Sequence, residues 1–439
     1  MHTSFTDLDR TQLPKRVLLL LTARTYRAQA FIQAAETLGI EVVRATDVPQ
    51  QLADYWQYPL GLQYNNTKKS VQAIVDYASV NPLGAVLPVD DSGTIIAALA
   101  SQALNLPHNS PKAAEAARDK YVMRQLLKSG GVQCPKATVH SFASTYDEDA
   151  VESIAEILSY PSVIKPLNLN GSRGVIRVNN PREFSSAAAK LYRLLHSFHS
   201  PDAPMQFIVE DYIPGTEVAL EGILNNGHLH VLALFDKPDP LVGPYFEETI
   251  YITPSRLPDD IQESIRACTA NAAVALEMSE GPVHAEVRVN NDGPWVIEIA
   301  GRSIGGLCAN TLTFGIEDSL ESLIIRQAFG MGFDKLQRRK EASGVMMIPI
   351  PEAGLFKGVR GYEQASETPL IVDIEITAKI NNLIIPLPEG DSYLGFIFAR
   401  GREPDKVEKA LREAHAKLAF EILPQLPMIS TLPVAIREI

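Results

Sequence analysis

The sequence predicts a mixed α/β and α+β chain of several domains. Three observations carry this: apolar strands alternating with helices over roughly the first hundred residues, antiparallel strands broken by glycine turns in the middle, and a β-rich remainder that ends in a helix. The 439 residues suffice for about two to four domains with full-sized cores. An apolar content of 46% with 21% charged residues is that of an ordinary soluble globular protein.

Val17–Leu21 is wholly apolar and reads as a buried strand. The loop Thr22–Tyr26 follows, then a helix through Leu38 that Gly39 ends, and a strand at Ile40–Arg44. Ser70–Ala78 reads as helix, Ala85–Pro88 as strand and Thr94–Leu104 as helix. Such a βα repeat gives a parallel sheet covered by helices, and sites in these sheets lie beyond the carboxyl ends of strands. Arg24 and Arg27 after the first strand, and Asp90 and Asp91 after Val89, are therefore placed to touch a ligand. Capping and surface charge is the competing reading of both pairs.

A second region begins near Arg118 with a helix, Asp119–Lys128, closed by Gly130 and Gly131. Next come the strand Ser162-Val-Ile-Lys-Pro166 and the segment Asn168-Leu-Asn-Gly-Ser-Arg-Gly-Val175. Flexible backbone N–H groups beside a lysine can cover anionic phosphate oxygens, although a plain hairpin turn would look the same. It is not a Walker A loop, which needs its lysine after the glycines and a helix behind it. Gln206–Glu210 reads as a strand running into Asp211–Glu217, followed by a long strand to Leu224 and a turn at Asn225-Asn-Gly227. The last hundred or so residues read as a separate β-rich domain with a final helix, Asp405–Phe420.

Composition also excludes. A formal net charge of −12, with no long run of lysine or arginine, argues against a nucleic-acid surface. Lys335 to Lys340 is the densest basic cluster and reads as a solvated interdomain segment. Cys134, Cys268 and Cys308 have neither metal-ligand spacing nor a disulfide framework; Cys308 reads as a small buried residue. The N-terminal apolar run is short, follows Asp7 and Asp9, and is no targeting signal; no stretch approaches a membrane span, so a cytoplasmic protein is expected.

The most informative stretch is His284-Ala-Glu-Val-Arg-Val289, Asn290–Pro294 and Trp295-Val-Ile-Glu-Ile299. Polar and apolar residues alternate, so His284, Glu286 and Arg288 share one face of a strand. With Asn290–Pro294 as the loop, residue 289 pairs with 295 and Glu286 faces Glu298 across a hairpin. Their Cβ atoms would lie roughly 5 Å apart, a like-charge pairing that normally destabilises. Burial of both requires a cation or a raised pKa, and Mg²⁺ or Mn²⁺ suits oxygen ligands and phosphates best. A solvated hairpin with both glutamates in water is the alternative.

The ordered set Asp119-Lys-Tyr121, Val163-Ile-Lys-Pro166, the glycine loop, Val209–Glu217, His284–Val287 and Ile297–Arg302 resembles the ATP-grasp superfamily of carboxylate–amine ligases. The resemblance implies a Rossmann-like N-terminal domain (1–118), a two-part ATP-grasp module (119–330, halves 119–207 and 208–330) and an amino-acid-ligase type α+β C-terminal domain (331–439). By resemblance, Lys120 and Lys165 contact the ATP phosphates, and the loop carrying Asn170, Gly171, Ser172 and Gly174 closes over them. Glu210, Asp211, Tyr212 and Ile213 would form the hinge that pairs with adenine, Glu217 would meet the ribose, and Glu286 with Glu298 would hold Mg²⁺. Many members place Asn two residues after the second glutamate, where this chain has Ala300. Glu298-Ile-Ala-Gly-Arg302 is instead similar to the L-amino-acid ligase branch, which includes dipeptide-forming enzymes. Gly354–Gly358, Ile385–Gly390 and Tyr393–Phe396 resemble its C-terminal domain.

The resemblance implies a two-step ligation through an acyl-phosphate, releasing ADP and phosphate and forming an amide. Arg302, and Arg288 unless it is salt-bridged to a glutamate, would stabilise developing charge; His284, Gly305, Gly306 and Asp90 are candidate substrate contacts, with a structural role open for His284. Small-molecule substrates, amino acids among them, are the expected partners, and a homodimer is expected by family analogy. A carboxylase-type or purine-pathway ligase is the alternative within the superfamily, against which Ala300-Gly-Arg302 argues. A non-catalytic ATP-binding regulatory module is the alternative from another class.

Overall fold

The apolar run at the start of the chain becomes the centre of a parallel sheet. The structure, a computed structural model, describes residues 9–23, 25–198, 205–390 and 392–424; Asp7 and Arg24, singled out above, lie outside them. Strand β1 (Arg16–Leu21) is followed by α1 (Ala28–Thr37), β2 (Glu41–Asp47), α2 (Gln50–Tyr55), β3 (Leu60–Leu62), α3 (Thr67–Val80), β4 (Ala85–Pro88) and α4 (Thr94–Ala103). Helix α1 buries Phe31, Ala34 and Ala35, spaced as one helical face, and Gly39 at φ +68 ends it. The sheet order is β3-β2-β1-β4, all parallel. The direction of winding reverses between β1 and β4, so the loops after these two strands face each other across the switch point. Short α2 and β3 were not expected from the sequence.

A second, antiparallel sheet follows. Helices α5 (Pro111–Ala116) and α6 (Lys120–Ser129) precede β5 (Ala137–Phe142), α7 (Glu148–Ile157), β6 (Ser162–Pro166), β7 (Ile176–Val178), α8 (Pro181–Phe198) and β8 (Met205–Asp211). Asp119 caps α6, its carboxylate accepting from Tyr121 N and Val122 N. The inward stripe of α6 is Lys120, Met123, Arg124 and Leu127, so two cations lie on a buried helical face. The four strands run in the order β5-β8-β6-β7.

The remaining elements are β9 (Thr216–Asn225), β10 (His228–Asp236), β11 (Ile250–Thr253), α9 (Asp259–Ala275), β12 (Gly281–Asn290), β13 (Gly293–Ala300), α10 (Leu320–Ala328), β14 (Ala342–Ile348), β15 (Gly354–Arg360), α11 (Tyr362–Ser366), β16 (Ile371–Ile376), β17 (Leu383–Ile384), β18 (Gly395–Gly401), α12 (Pro404–His415) and β19 (Ala419–Pro424). Eight strands form one sheet, ordered β13-β12-β9-β10-β11-β14-β18-β16, and β17-β15-β19 form a small one. Strands on both sides of residue 330 are therefore hydrogen-bonded together through the β11–β14 ladder. The last region is not separate at the level of its sheet. Among the described residues no helix is long and apolar enough to cross a membrane.

Two local expectations are corrected. The final helix stops at His415, and Ala419–Pro424 pairs with β15. Its stripe Val407, Ala410, Leu411 and Ala414 keeps helical spacing, whereas Phe420 and Ile422 turn inward with the period of a strand. The hairpin turn is also tighter than expected: Asn290 pairs with Gly293, and Val289 with Pro294 rather than Trp295. A β-bulge beyond Val287–Val296 then inserts Ile297, which restores Glu286 opposite Glu298.

At the chain's start, Arg10 is buried and its Nη2 lies 2.7 Å from Glu280 Oε1, while Gln327 donates to the other oxygen at 2.6 Å. This ion pair ties the N-terminus to the entry of β12 and to α10. Arg10→Ala leaves Glu280 buried without its cation and is expected to cost about 3–5 kcal/mol in urea unfolding. An unchanged midpoint would show that the pair contributes nothing.

Candidate active site

A cleft of ≈ 1720 Å³ opens where the parallel sheet, the second sheet, the eight-stranded sheet and the segment 375–393 meet. It exceeds the roughly 300–1,000 Å³ of a pocket for one small ligand. Among the described residues, every site residue expected from the sequence lines it except Gly174. Gly174 points its backbone away, N–H to Pro388 O at 2.8 Å, and Arg173 Nε donates to Glu389 O at 2.8 Å. The glycine loop is thus seated on the C-terminal region, with Gly171, Ser172 and Gly174 at positive φ.

One wall is cationic. Lys120 Nζ donates to Leu169 O at 2.6 Å, which sets the base of the loop, and Lys165 Nζ lies 2.6 Å from Glu210. Burial works to raise the Glu210 carboxyl, but Arg124 and Lys165 overcome it and hold it below the usual range. Arg124 also donates to Ile297 O, the carbonyl of the bulge, so the extra residue in β13 does not leave an orphaned acceptor. Beside this wall Arg177 stacks over Tyr212 at 4.0 Å.

The opposite wall is acidic. Glu217, Glu248 and Glu286 bring carboxylate oxygens within 4.8 Å of one another. Between them sits Lys237 Nζ, 2.8 Å from Glu217, 3.5 Å from Glu286 and in contact with Glu248. Burial would lower the Lys237 ammonium, but the three carboxylates raise it well above its ordinary value, so it stays charged. Burial raises Glu248 to about 7, countered by Lys237. The register of β12 on β9 explains the pattern: His284 faces Glu221 and Arg288 faces Glu217, with small Ala219 opposite Glu286. His284 Nδ1 is 3.0 Å from Glu221 and its Nε2 3.8 Å from Glu286. Burial works to lower His284, and hydrogen bonds to these two carboxylates raise it to about 9.

The acidic wall revises three expected roles. Arg288 uses Nε on Glu217 (2.7 Å), Nη1 on Ile213 O (2.7 Å) and Nη2 on Leu241 O, so it is a buried clamp with its donors committed rather than a group aimed at a reacting carbonyl. Both oxygens of Glu217 are engaged, by Lys237 and Arg288, so a ribose contact would have to share them. Glu298 faces Glu286 across the hairpin but is not one of the three converging acids. Lys237 and Glu248 were missed. Their signal was the pair Glu247-Glu248 entering β11, with a lysine just past β10 on the neighbouring strand.

At the far end, Arg302 Nε lies 2.8 Å from Asp91 Oδ2. Burial works to raise Asp91, but Arg302, Asn170 and Arg118 bring it down to about 2. Asp90 instead accepts from Thr22 and Thr25 hydroxyls at 3.1 and 3.2 Å, tying the loops after β1 and β4 together. Arg27 donates to Val89 O and to Ser303 Oγ, which fixes the turn behind Arg302. Gly305 and Gly306 lie alongside in the wall. Gly306 has φ +60, and a Cβ there would sit 2.9 Å from the Phe396 ring.

Family models match two stretches: an ATP-grasp domain over residues 158–311 and L-amino acid ligase C-terminal domain 2 over residues 346–422. The chain carries an ATP-grasp domain followed by an L-amino acid ligase C-terminal domain. The resemblance read from the ordered motifs is borne out at this level. The alanine–anticapsin ligase of Bacillus subtilis (strain 168) is 27% identical over 294 residues, 62% of this chain and 60% of the relative. The match therefore spans less than two thirds of that relative's length. The crystal structure of L-amino acid ligase from Bacillus licheniformis overlays with a TM-score of 0.75 at 23% identity, covering 93% of this chain and 99% of that one. The biotin carboxylase domain of Hydrogenobacter thermophilus 2-oxoglutarate carboxylase, solved with MgADP, ADP and bicarbonate, gives 0.65 at 17% identity, over 94% of this chain and 91% of that one. These overlays establish the fold.

Lys237→Met removes the ammonium and leaves three acids facing each other, with an expected loss of about 3–5 kcal/mol in metal-free buffer. Added Mg²⁺ should then raise the melting temperature of the variant more than that of the wild type. Equal shifts would show that the three acids do not gather a divalent cation.

Proposed function

We propose that the chain is an ATP-dependent carboxylate–amine ligase, ADP-forming, that joins substrates including at least one amino acid through a peptide-type amide. One observation carries the reading: a cationic wall with a glycine loop faces an acidic wall across one cleft, and Arg302 stands at its end. The relatives support it. The Bacillus subtilis protein is named for joining alanine to another molecule, and the C-terminal domain matches an L-amino acid ligase family rather than a carboxylase or purine-pathway one.

In the first step a substrate carboxylate oxygen attacks the γ-phosphorus; the bond from that phosphorus to the β-γ bridging oxygen breaks, giving acyl-phosphate and ADP. In the second, an amine attacks the acyl carbon, phosphate leaves with its oxygen, and the nitrogen loses a proton. Lys120 and Lys165 neutralise phosphate oxygens, and the loop 170–174 excludes water from the transferred group. Arg302, held by Asp91, faces the charge that builds on the carbonyl oxygen. Hard oxygen donors converging around one buried cation fit Mg²⁺ or Mn²⁺, which Glu286 and Glu248 would hold, with Glu298, opposite Glu286 across the hairpin but outside the converging set, as the further ligand that the resemblance implies. When bound there, the metal supplies further neutralisation of the triphosphate.

The direct test is incubation with ATP, Mg²⁺ and pooled amino acids. ADP, phosphate and an amide detected by mass are the expected products, and AMP with pyrophosphate would rule out the acyl-phosphate route. Arg302→Ala should retain nucleotide binding by calorimetry while ligation falls by about 10²–10³-fold. A normal rate in that variant removes the role given to Arg302.

A further inference from the structure

Three segments from different parts of the fold meet at one carboxylate. Asp91 follows β4 of the parallel sheet, Asn170 lies in the glycine loop after β6, and Arg302 lies just beyond β13. Asp91 Oδ2 receives Arg302 Nε at 2.8 Å and Asn170 Nδ2 at 3.0 Å, both on the same oxygen. Arg118 Nη1 donates to the Asp91 backbone carbonyl at 2.9 Å, so the residue is anchored from behind. The Asp91 and Arg302 side chains are 15% and 14% exposed, which limits screening of the pair by water.

The geometry points to Asp91 as a positioning residue that couples closure of the Asn170–Gly174 loop to the orientation of Arg302. The inference rests on the ligase reading for the role of Arg302, but the tie between loop and carboxylate stands on the contacts alone. An Arg302 guanidinium free of Asp91 has several rotamers open to it, and misplacement of a catalytic group by about 1 Å costs on the order of 10²-fold in rate. A loop that closes only when Asn170 reaches Asp91 seats on the same oxygen that holds Arg302. The carboxylate therefore makes the covered triphosphate and the aligned guanidinium one arrangement rather than two. Asp90, its neighbour, is occupied by Thr22 and Thr25 and cannot substitute.

The test combines kinetics with hydrogen exchange on the full chain. Asp91→Asn keeps the shape and removes the charge. It should lower kcat by on the order of 10²-fold while KM for ATP changes by less than about threefold. In an Arg302→Ala background the same change should cost less than about threefold more, because the two act as a unit. With a non-hydrolysable ATP analogue and Mg²⁺ bound, amides of residues 169–175 should be protected in the wild type. That protection should fall in both Asp91→Asn and the exposed-loop variant Asn170→Ala, with no further fall in the double variant. Unchanged or raised kcat in Asp91→Asn would overturn positioning, the latter because Asp91 would be sequestering Arg302. Undiminished protection in either single variant would overturn the tie to the loop. If the wild type releases no ADP with any amino-acid pair, the ligase reading fails instead, and the exchange arm still decides the coupling.

Discussion

Acids forced together away from bulk water are the constraint on which the cleft depends. Three carboxylates within 4.8 Å cannot all stay ionised in a low-dielectric wall without a counter-charge. Lys237 supplies it at the centre, and Arg288 and His284 supply it at the flanks. Arg288 and His284 lie on β12 and Lys237 just past β10, on either side of the β9 that carries Glu217 and Glu221, and the order β12-β9-β10 is what brings them to one face. A shift of one residue in the β9–β12 register would turn His284 and Arg288 away from Glu221 and Glu217 and take one partner from each buried acid. The register of the sheet and the charge pattern of the wall specify each other.

The same reasoning separates groups that hold the wall from groups open to a ligand. Arg288 and Glu217 face the cleft, yet their polar atoms are spent on each other, those of Arg288 also on backbone carbonyls and those of Glu217 also on Lys237. Lys120 and Lys165 each bind one acceptor, a backbone carbonyl and a buried carboxylate, while both side chains line the cleft. Arg302 sits between these cases: one edge is fixed by Asp91 and Ser303 O while the side chain still lines the open cleft.

Much of this was legible because its signals are local. Apolar alternation placed β12 and β13, the closing pair Gly130 and Gly131 bounded α6, and the unbroken run Val17–Leu21 placed the central parallel strand. The facing of Glu286 and Glu298 was also legible, although by a different route than the structure takes. A tighter turn and a bulge offset each other, and neither leaves a mark in residue type, since Ile297 looks like any strand residue. What the sequence could not display was contact across distance. Lys237 and Glu248 are ordinary charged residues until β10 and β11 lie side by side. Arg288 was open between a salt bridge and a catalytic role, and only the position of Leu241 and Ile213 carbonyls decides it. The final helix was drawn too long because its last residues keep an apolar content that fits either period.

The continuous eight-stranded sheet has a mechanical consequence. A C-terminal unit joined to the rest by a linker could swing as a hinged flap, but here four backbone pairings between β11 and β14 stitch it to the acidic wall. That part of the molecule is the anvil. The lobe built on β5-β8-β6-β7 has its own sheet and, among the described residues, meets the larger part through single contacts, such as the Ile176–Tyr245 bridge and Arg177 N–H on Pro244 O, rather than through a ladder. Gly174 and Arg173, on the carbonyls of Pro388 and Glu389, seat the glycine loop of that lobe directly on the anvil.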